Sequence, residues 1–329
     1  MCGIAGFVND MPIDVKCPVL QRMTDMIAHR GPDSEGHYID EHAALGHRRL
    51  SIIDLGGGQQ PIYNEDGSKV ITFNGEIYNY QTLREELIAA GHTFTTKSDT
   101  EVLLHGYEQW GVDLLQRVRG MFTFVIWDKN KQELFGARDH FGIKPFYYAK
   151  MNGTFMYASE IKSLLRHPDF VKELNAEALK PYMTFQYPAI GETFFKGVYK
   201  LPEGHYFTYR DGKMDIHRYY DEDFREGKQK LGELVNSIDQ TVCDSVKAHQ
   251  IADVEVGSFL SSGVDSSYVA AVARPQHTYS IGFGKGTYNE SQQAGELAEL
   301  LKLNNTAESL TDEEAFAAFP RIQWHLDEP

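Results

Sequence analysis

Apolar residues change their spacing several times along the chain, and each change predicts an element. Residues 1–8, from Met1-Cys2-Gly3 through Ile4, Phe7 and Val8, read as a short apolar strand at the amino terminus. Val19, Leu20, Met23, Met26 and Ile27 recur at helical spacing, and Pro18 suits a first helical turn. That helix is expected to stop before the turn-rich His29-Arg30-Gly31-Pro32-Asp33. Tyr80, Leu83, Leu87 and Ile88 mark another helix, closed by Gly91. Ser98-Asp99-Thr100-Glu101 has the capping-box pattern ahead of Val102, Leu103, Leu104 and Tyr107. The rhythm then becomes that of strands: Met121–Trp127, Leu134–Ala137, Phe146–Ala149 and Phe155–Ala158. His205–Tyr209 and the Asp211-Gly212 turn predict a last strand pair. Helices and strands in blocks, without strict alternation, point to a layered α+β domain over residues 1–220.

The charged stretch 221–230 (Glu222, Asp223, Arg225, Glu226, Lys228, Lys230) has too few apolar residues for a core and reads as a linker. Residues 231–329 follow a different order. Leu231, Leu234, Val235, Ile238, Val242 and Val246 trace a helix. An apolar strand (Val254–Leu260), a small-residue loop, a helix (Ser267–Ala273), a strand (Thr278–Phe283), a helix (Ser291–Lys302) and a short strand (Thr306–Leu310) come next. This βαβαβ order is half of a doubly wound parallel sheet.

Composition narrows the picture. A chain of 329 residues is long for one core, so length agrees with two domains. No apolar run approaches the roughly 20 residues that span a bilayer, and residues 1–9 lack the basic flank of a signal peptide. Cys2, Cys17 and Cys243 are scattered and odd in number, which fits a reducing cytoplasm better than a disulfide framework. No CxxC or HxxxH spacing suggests a metal site. The net charge of −15 argues against non-specific nucleic-acid binding.

Candidate chemistry begins at Cys2. If Met1 is removed, one residue carries a thiol nucleophile and an α-amine that can serve as its base. Asn74-Gly75 could offer a side-chain amide and a backbone N–H to one oxyanion, but the same pair is a strong hairpin-turn signal. Arg49 could hold a carboxylate bidentately, or be an exposed arginine beside a strand. Glu76 and Asp99 could receive an ammonium; at a helix start a carboxylate ordinarily just compensates the dipole. In the second segment, Phe259-Leu260-Ser261-Ser262-Gly263-Val264-Asp265-Ser266-Ser267 ends a strand and opens a helix. Small residues and helix N–H groups there suit an anion, or simply a capped turn. It is not a GxxxxGK[ST] loop, since no lysine follows the glycine.

Taken in order, Met1-Cys2-Gly3-Ile4-Ala5-Gly6, His29–Asp33, Arg48-Arg49-Leu50-Ser51-Ile52, Phe73-Asn74-Gly75-Glu76-Ile77-Tyr78-Asn79 and Ser98–Glu101 closely resemble the class II glutamine amidotransferase domain, above all that of glutamine-hydrolysing asparagine synthetases. Arg138-Asp139-His140-Phe141-Gly142-Ile143-Lys144-Pro145 and Ala158-Ser159-Glu160-Ile161-Lys162 look like the same family. The resemblance implies an N-terminal nucleophile αββα sandwich followed by a partial α/β doubly wound domain. It also implies that Cys2 attacks the glutamine amide, that Asn74 and Gly75 stabilise the oxyanion, that Arg49 holds the carboxylate, and that Glu76 and Asp99 hold the ammonium. Leu50 and Ile52 would complete the pocket through their backbone.

Residues 260–266 resemble the SGGxDS pyrophosphate loop of ATP pyrophosphatases. That likeness implies ATP bound by Leu260, Ser261, Ser262, Gly263, Asp265, Ser266 and Ile281, with Asp265 helping to hold Mg²⁺. Ser262 stands where that family usually has glycine, and serine disfavours positive φ. The implied partners are glutamine, aspartate and ATP, with neither nucleic acid nor membrane, and a homodimer is left open. The family's synthetase domain continues well past Trp324-His325-Leu326-Asp327-Glu328-Pro329, so the sequence is expected to be a fragment. Two other readings stand beside this one: an amidotransferase serving a different carboxylate acceptor, and a non-catalytic module that senses glutamine.

Overall fold

The structure is a computed structural model that describes residues 1–187, 189, 191–283 and 290–328. Its contacts divide the chain into two units, Met1–Asp223 with Asp327–Pro329, and Phe224–Leu326.

The first unit runs β1 (Gly3–Val8), α1 (Ile13–Asp25), β2 (Ser34–Ile39), β3 (Ala43–Arg49), β4 (Ile62–Tyr63), β5 (Lys69–Ile77), α2 (Tyr80–Ala89) and α3 (Asp99–Trp110). It continues with β6 (Gly120–Asp128), β7 (Glu133–Arg138), β8 (Tyr147–Met151), β9 (Thr154–Ala158), α4 (Ile161–Leu164), α5 (Leu179–Phe185), β10 (Val198–Lys200), β11 (His205–Arg210) and β12 (Lys213–Arg218). Among the described residues these strands make two six-stranded sheets, ordered β10-β8-β9-β1-β3-β2 and β12-β11-β7-β6-β5-β4. Paired strands run antiparallel.

The sheets meet face to face over Ile4, Leu45, Val125, Trp127, Phe146, Phe155 and Phe207, all buried. The outer face of the first sheet packs on α1 and α4 through Phe7, Leu20, Met23, Met156, Ile161 and Leu164. On the second sheet, Phe135 of β7 stacks on Tyr107 of α3 at 4.7 Å. Each sheet is therefore covered on both faces, and the architecture is the αββα sandwich. Double coverage explains why Phe122–Trp127 reads as a continuous apolar run rather than an alternating one.

Local expectations need two corrections here. Helix α1 starts at Ile13, after Pro12 at the cap position, so Pro18 lies inside the helix and not in its first turn. Pro18 sits on the exposed side, where water can satisfy the Asp14 carbonyl that the missing N–H leaves free. The capping box at Ser98 is only half made. The Ser98 side chain accepts from the Thr100 N–H, but Glu101 turns to the Thr95 and Thr96 N–H groups at 2.8 and 2.6 Å. The Ser98 N–H goes instead to Thr96 Oγ1.

The second unit contains α6 (Leu231–His249), β13 (Ser258–Phe259), α7 (Val264–Ala273), β14 (His277–Phe283), α8 (Ser291–Leu301), β15 (Asn304–Leu310) and α9 (Asp312–Leu326). The strands pair in parallel in the order β13-β14-β15. A small core of Leu260, Ala270, Ala294 and Ala298 joins sheet and helices. Along β14 the residues alternate. Thr278 and Ser280 are buried, while Tyr279, Ile281 and Phe283 are exposed. The predicted strand Val254–Leu260 shrinks to two residues because Ser258 pairs with Thr278, which puts Gly257 opposite the first residue of β14 and leaves 254–256 nothing to pair with. Helix α7 also begins three residues earlier than expected, at Val264. Among the described residues, no helix is long and apolar enough to cross a membrane.

Candidate active site

Cys2 stands at the entrance to β1, half-buried between the ends of two strands. Its Sγ accepts from the Leu50 N–H at 3.4 Å and lies 3.5 Å from the Leu50 carbonyl. The Arg30 Nε–H donates to the Cys2 carbonyl at 2.9 Å, and Arg30 Nη1 donates to Glu160 at the same distance. The first residues of the chain are thus clamped on two sides.

Beside Cys2 is a small recess open to solvent. Arg49, Leu50, Ile52, Gly75, Glu76 and Asp99 line it together with Cys2. Six residues that the sequence places 47 or more positions from Cys2 converge because the end of β3 and the loop after it, the last residues of β5 and the first turn of α3 meet at the open end of β1.

Asn74-Gly75 is not a turn. Both residues lie inside β5, opposite Thr123 and Phe122 of β6. A Cβ on Gly75 would come within 2.2 Å of the Met121 carbonyl oxygen and 2.7 Å of Phe122 Cα, so close backbone approach requires glycine there. Asn74 does not line the recess, although Phe73 and Gly75 on either side of it do. It is buried, and its side-chain Nδ2 finds no hydrogen-bond partner among the described residues. An idle buried amide donor is costly and calls for an explanation.

Arg49 is buried, not exposed. Its guanidinium donates to the carbonyls of Ile53 (3.1 Å), Asp54 (2.6 Å) and Leu55 (3.3 Å). It therefore shapes the loop after β3 as well as facing the recess. Asp99 is more than a dipole-compensating carboxylate, since it is buried and accepts from the Ile77 N–H at 3.0 Å. Burial pushes the Glu76 carboxyl up, with the neighbouring Asp99 charge adding to it. Burial pushes Asp99 up too, against the hydrogen bonds from Ile77 and Ser98. Two carboxyls sharing one recess resist ionising together until a cation arrives.

Burial likewise raises the Cys2 thiol, partly offset by the Leu50 hydrogen bond. It lowers the terminal α-amine, which here belongs to Met1. The resting nucleophile is thus held as a thiol beside an amine biased to be neutral.

Sequence reasoning missed Gln60, Lys144 and the role of Arg30. The Gln60 Oε1 accepts from the Phe73 N–H at 2.6 Å and its Nε2 donates to Thr100 Oγ1, joining β5 to α3 across the recess. Lys144 is buried, and its Nζ donates to the Met1 sulfur at 3.0 Å. Arg30 and Lys144 lie inside motifs visible in the sequence, but nothing in their spacing tells that they face the amino terminus.

In the second unit, Ser261, Ser262 and Gly263 form the turn into α7. Ser261 and Ser266 hydroxyls meet at 2.8 Å, and the Gly263 N–H donates to Ser261 Oγ. Neither Ser262 nor Gly263 adopts positive φ, so serine is unstrained where glycine was expected. Asp265 is in the first turn of α7 and exposed, as is Ile281. Leu260 is different. Its side chain is in the core, and its backbone groups are taken by the Tyr279 carbonyl and the Ser280 hydroxyl. It can support the loop from beneath but offers no open face.

Comparison with known proteins identifies the family. Residues 1–220 match the glutamine amidotransferase domain family, and residues 237–329 match the asparagine synthase family. Glutamine-hydrolyzing asparagine synthetase 1 of Bacillus subtilis is 43% identical over 337 residues, covering all of this chain and 53% of that protein. Asparagine synthetase 3 of the same organism is 36% identical, covering 86% of this chain and 48% of that protein. The chain spans about half the length of the curated relatives it matches. Among solved structures, the glutamine phosphoribosylpyrophosphate amidotransferase of B. subtilis superposes with a TM-score of 0.50 at 15% identity, covering 93% of this chain and 65% of that one. At that identity the likeness speaks for the fold alone.

Proposed function

The chain belongs to the family of glutamine amidotransferases that includes the glutamine-hydrolysing asparagine synthetases, and we propose accordingly that residues 1–220 release ammonia from glutamine for an ATP-dependent ligation, of whose synthetase domain residues 231–329 are an incomplete part, with 221–230 as the linker. The observation that carries the first half is the recess itself. It sets a thiol beside one cation, Arg49, and two carboxyls, Glu76 and Asp99, the complement of an amino acid's carboxylate and ammonium.

In this reading Met1 is removed and the amine of Cys2 takes the thiol proton as sulfur attacks the glutamine side-chain carbonyl. Negative charge moves to the carbonyl oxygen, where the Asn74 Nδ2–H and the Gly75 N–H receive it. The amine returns its proton to the leaving nitrogen, ammonia departs, and a γ-glutamyl thioester remains on Cys2. Water activated by the same amine cleaves the thioester to glutamate and restores the thiol. Arg49 holds the substrate carboxylate with the donor capacity its loop contacts leave over. The backbone of Leu50 and Ile52 closes the pocket.

In the second unit, Ser261, Ser262, Gly263 and Ser266 grip the β- and γ-phosphates of ATP at the start of α7, and Ile281 packs against the base. A carboxylate oxygen is the hard donor that Mg²⁺ prefers, and Asp265 supplies one. The aspartate β-carboxylate displaces pyrophosphate from the α-phosphate, giving a β-aspartyl-adenylate. Ammonia then attacks its acyl carbon, and asparagine and AMP leave. The free thiols of Cys2, Cys17 and Cys243 suit the reducing cytoplasm.

Glutamate release from glutamine tests the first unit. Cys2→Ala is expected to abolish it, and a glutamine-like electrophile is expected to label the wild type only. Equal rates in wild type and Cys2→Ala would refute the nucleophile. Aspartate-dependent pyrophosphate release from ATP tests the second. Release that another carboxylic acid stimulates and aspartate does not would assign a different acceptor.

A further inference from the structure

Away from the recess, three separate segments bring two imidazoles and two carboxylates together. Glu65 comes from the turn between β4 and β5, His92 from the segment after α2, and His105 and Glu108 from successive turns of α3. One ligand-type atom from each lies within 4.8 Å of all the others. His92 Nδ1 is 3.1 Å from Glu65 Oε1. His105 Nδ1 is 3.3 Å from Glu65 Oε2 and 3.2 Å from Glu108 Oε2. A tetrahedral ion with bonds near 2.0–2.1 Å separates its ligand atoms by about 3.3 Å, and the three contacts just given run from 3.1 to 3.3 Å.

Surrounding groups fit the same reading. The other nitrogen of His105, Nε2, is buried and faces Glu101 Oε1 at 3.5 Å without a well-formed hydrogen bond. A carboxylate beside that nitrogen is the kind of partner that orients a metal-binding imidazole. The Asn64 Nδ2 donates to Glu108 Oε1 at 2.7 Å and leaves Oε2 directed at the cluster. The side chain of His105 is 1% exposed, and those of His92 and Glu108 are 15% and 18% exposed, so the group is largely shielded while Glu65 leaves it an entrance. Charge argues similarly. Glu65, Glu101 and Glu108 surround two histidines, with Lys69 as the nearby ammonium at 3.5 Å from Glu108. The excess is negative.

We propose that Glu65, His92, His105 and Glu108 form a binding site for one zinc-class divalent ion, which ties the β4–β5 turn and the end of α2 to α3. The ion is structural, since all four ligands come from the chain and saturate a tetrahedron. Its consequence for the recess is indirect: it anchors the helix whose first residues, Asp99 and Thr100, line the pocket. No sequence spacing could announce it, because the two histidines are 13 positions apart and lie on different segments.

The test uses the purified chain stripped with chelator and then titrated with Zn²⁺, with Co²⁺ as the spectroscopic probe. The expected result is one ion per chain, a tetrahedral-type Co²⁺ absorption spectrum, and a thermal midpoint raised by Zn²⁺. His92→Ala and Glu65→Gln, both on the accessible side, should each weaken Zn²⁺ binding at least about tenfold and remove the thermal gain. Their metal-free folding and glutaminase rates should equal those of the metal-free wild type. Binding well below one ion per chain would overturn the proposal. So would affinity unchanged in both variants, which would place the ion on other histidines.

Discussion

Replacing Asn74 by alanine should move activity and stability in opposite directions. The side chain is buried, and its Nδ2 has no acceptor among the described residues in the resting protein. Removing it breaks no hydrogen bond made by that atom in the ground state. An unpaired buried amide donor costs roughly 1–3 kcal/mol, so deleting it offsets the small cavity that alanine leaves. Unfolding free energy should therefore stay within about 1 kcal/mol of wild type, or rise. The transition state is another matter. The donor acquires a partner only when charge develops on the glutamine carbonyl oxygen, and loss of one such donor typically costs about 2.7–4 kcal/mol, or roughly 10²–10³ in kcat. Because the interaction is made in the transition state alone, kcat should fall and KM should change little. Glutamate release under saturating glutamine gives kcat, and urea unfolding followed by circular dichroism gives stability. A kcat within about threefold of wild type would refute the oxyanion assignment. A loss of stability above about 2 kcal/mol would show that the amide has a ground-state partner.

Two more outcomes follow from the same site. Glu76 and Asp99 both titrate above the ordinary carboxylate range, and only their ionised forms attract the substrate ammonium, so KM for glutamine should rise as pH falls and should begin to rise above the usual carboxylate range near ~4. Glu76→Gln should raise KM at neutral pH and flatten that dependence; a wild-type profile in this variant would remove Glu76 from the ammonium site. Gly75→Ala places a methyl 2.2 Å from a backbone oxygen of β6, which cannot swing aside as a side chain could, and should cost about 1–3 kcal/mol in urea unfolding as well as glutaminase activity. A fully stable Gly75→Ala would mean that β5 and β6 do not approach as closely as described.

What the sequence made legible depended on whether a segment's burial matched a simple period. Tyr80, Leu83 and Leu87 share a buried helix face, and α2 was found. The strands β2, β3 and β5 were not read as strands, because polar residues interrupt their apolar pattern. His47, Thr72 and Asn74 are all buried inside the sheets. His47 gives its ring to the Phe73 carbonyl at 3.0 Å, so a residue that looks like surface in the sequence is a cross-sheet tie. Helix α9 is not among the predicted elements either: Phe316, Phe319, Ile322 and Leu326 recur at helical spacing, but Pro320 interrupts the run and no described residue of the helix is buried. The recess was legible as an ordered set of motifs but not as geometry. Asn74-Gly75 carries the local signature of a hairpin turn and is instead mid-strand, because its partner strand β6 arrives from 47 residues further along and holds it extended. Gln60 had no local signal at all, since its two hydrogen bonds go to β5 and α3.

The electrostatics of the amino terminus decide how Cys2 can work. A thiolate–ammonium pair would be the reactive state if burial favoured charge, but desolvation is the largest influence on the Cys2 thiol and on the Met1 amine, whose surroundings the Cys2 amine inherits once Met1 is removed, and it acts against charge in each. It raises the thiol and lowers the amine, so their proton affinities are displaced toward the neutral pair. The Cys2 and Glu76 charges oppose burial at that amine, while Arg30 and Lys144 add to it. In the proposed reaction the nucleophile is then generated only as it attacks, with the proton passing to the amine while negative charge moves on to the substrate oxygen. Charge created in that step must find a prepared donor or the step reverses. The idle amide of Asn74 and the N–H of Gly75, held open by a strand pairing that admits no Cβ, are the groups in this fold that can receive it. A protected thiol and an unpartnered amide are therefore two halves of one device, and each would be a liability without the other.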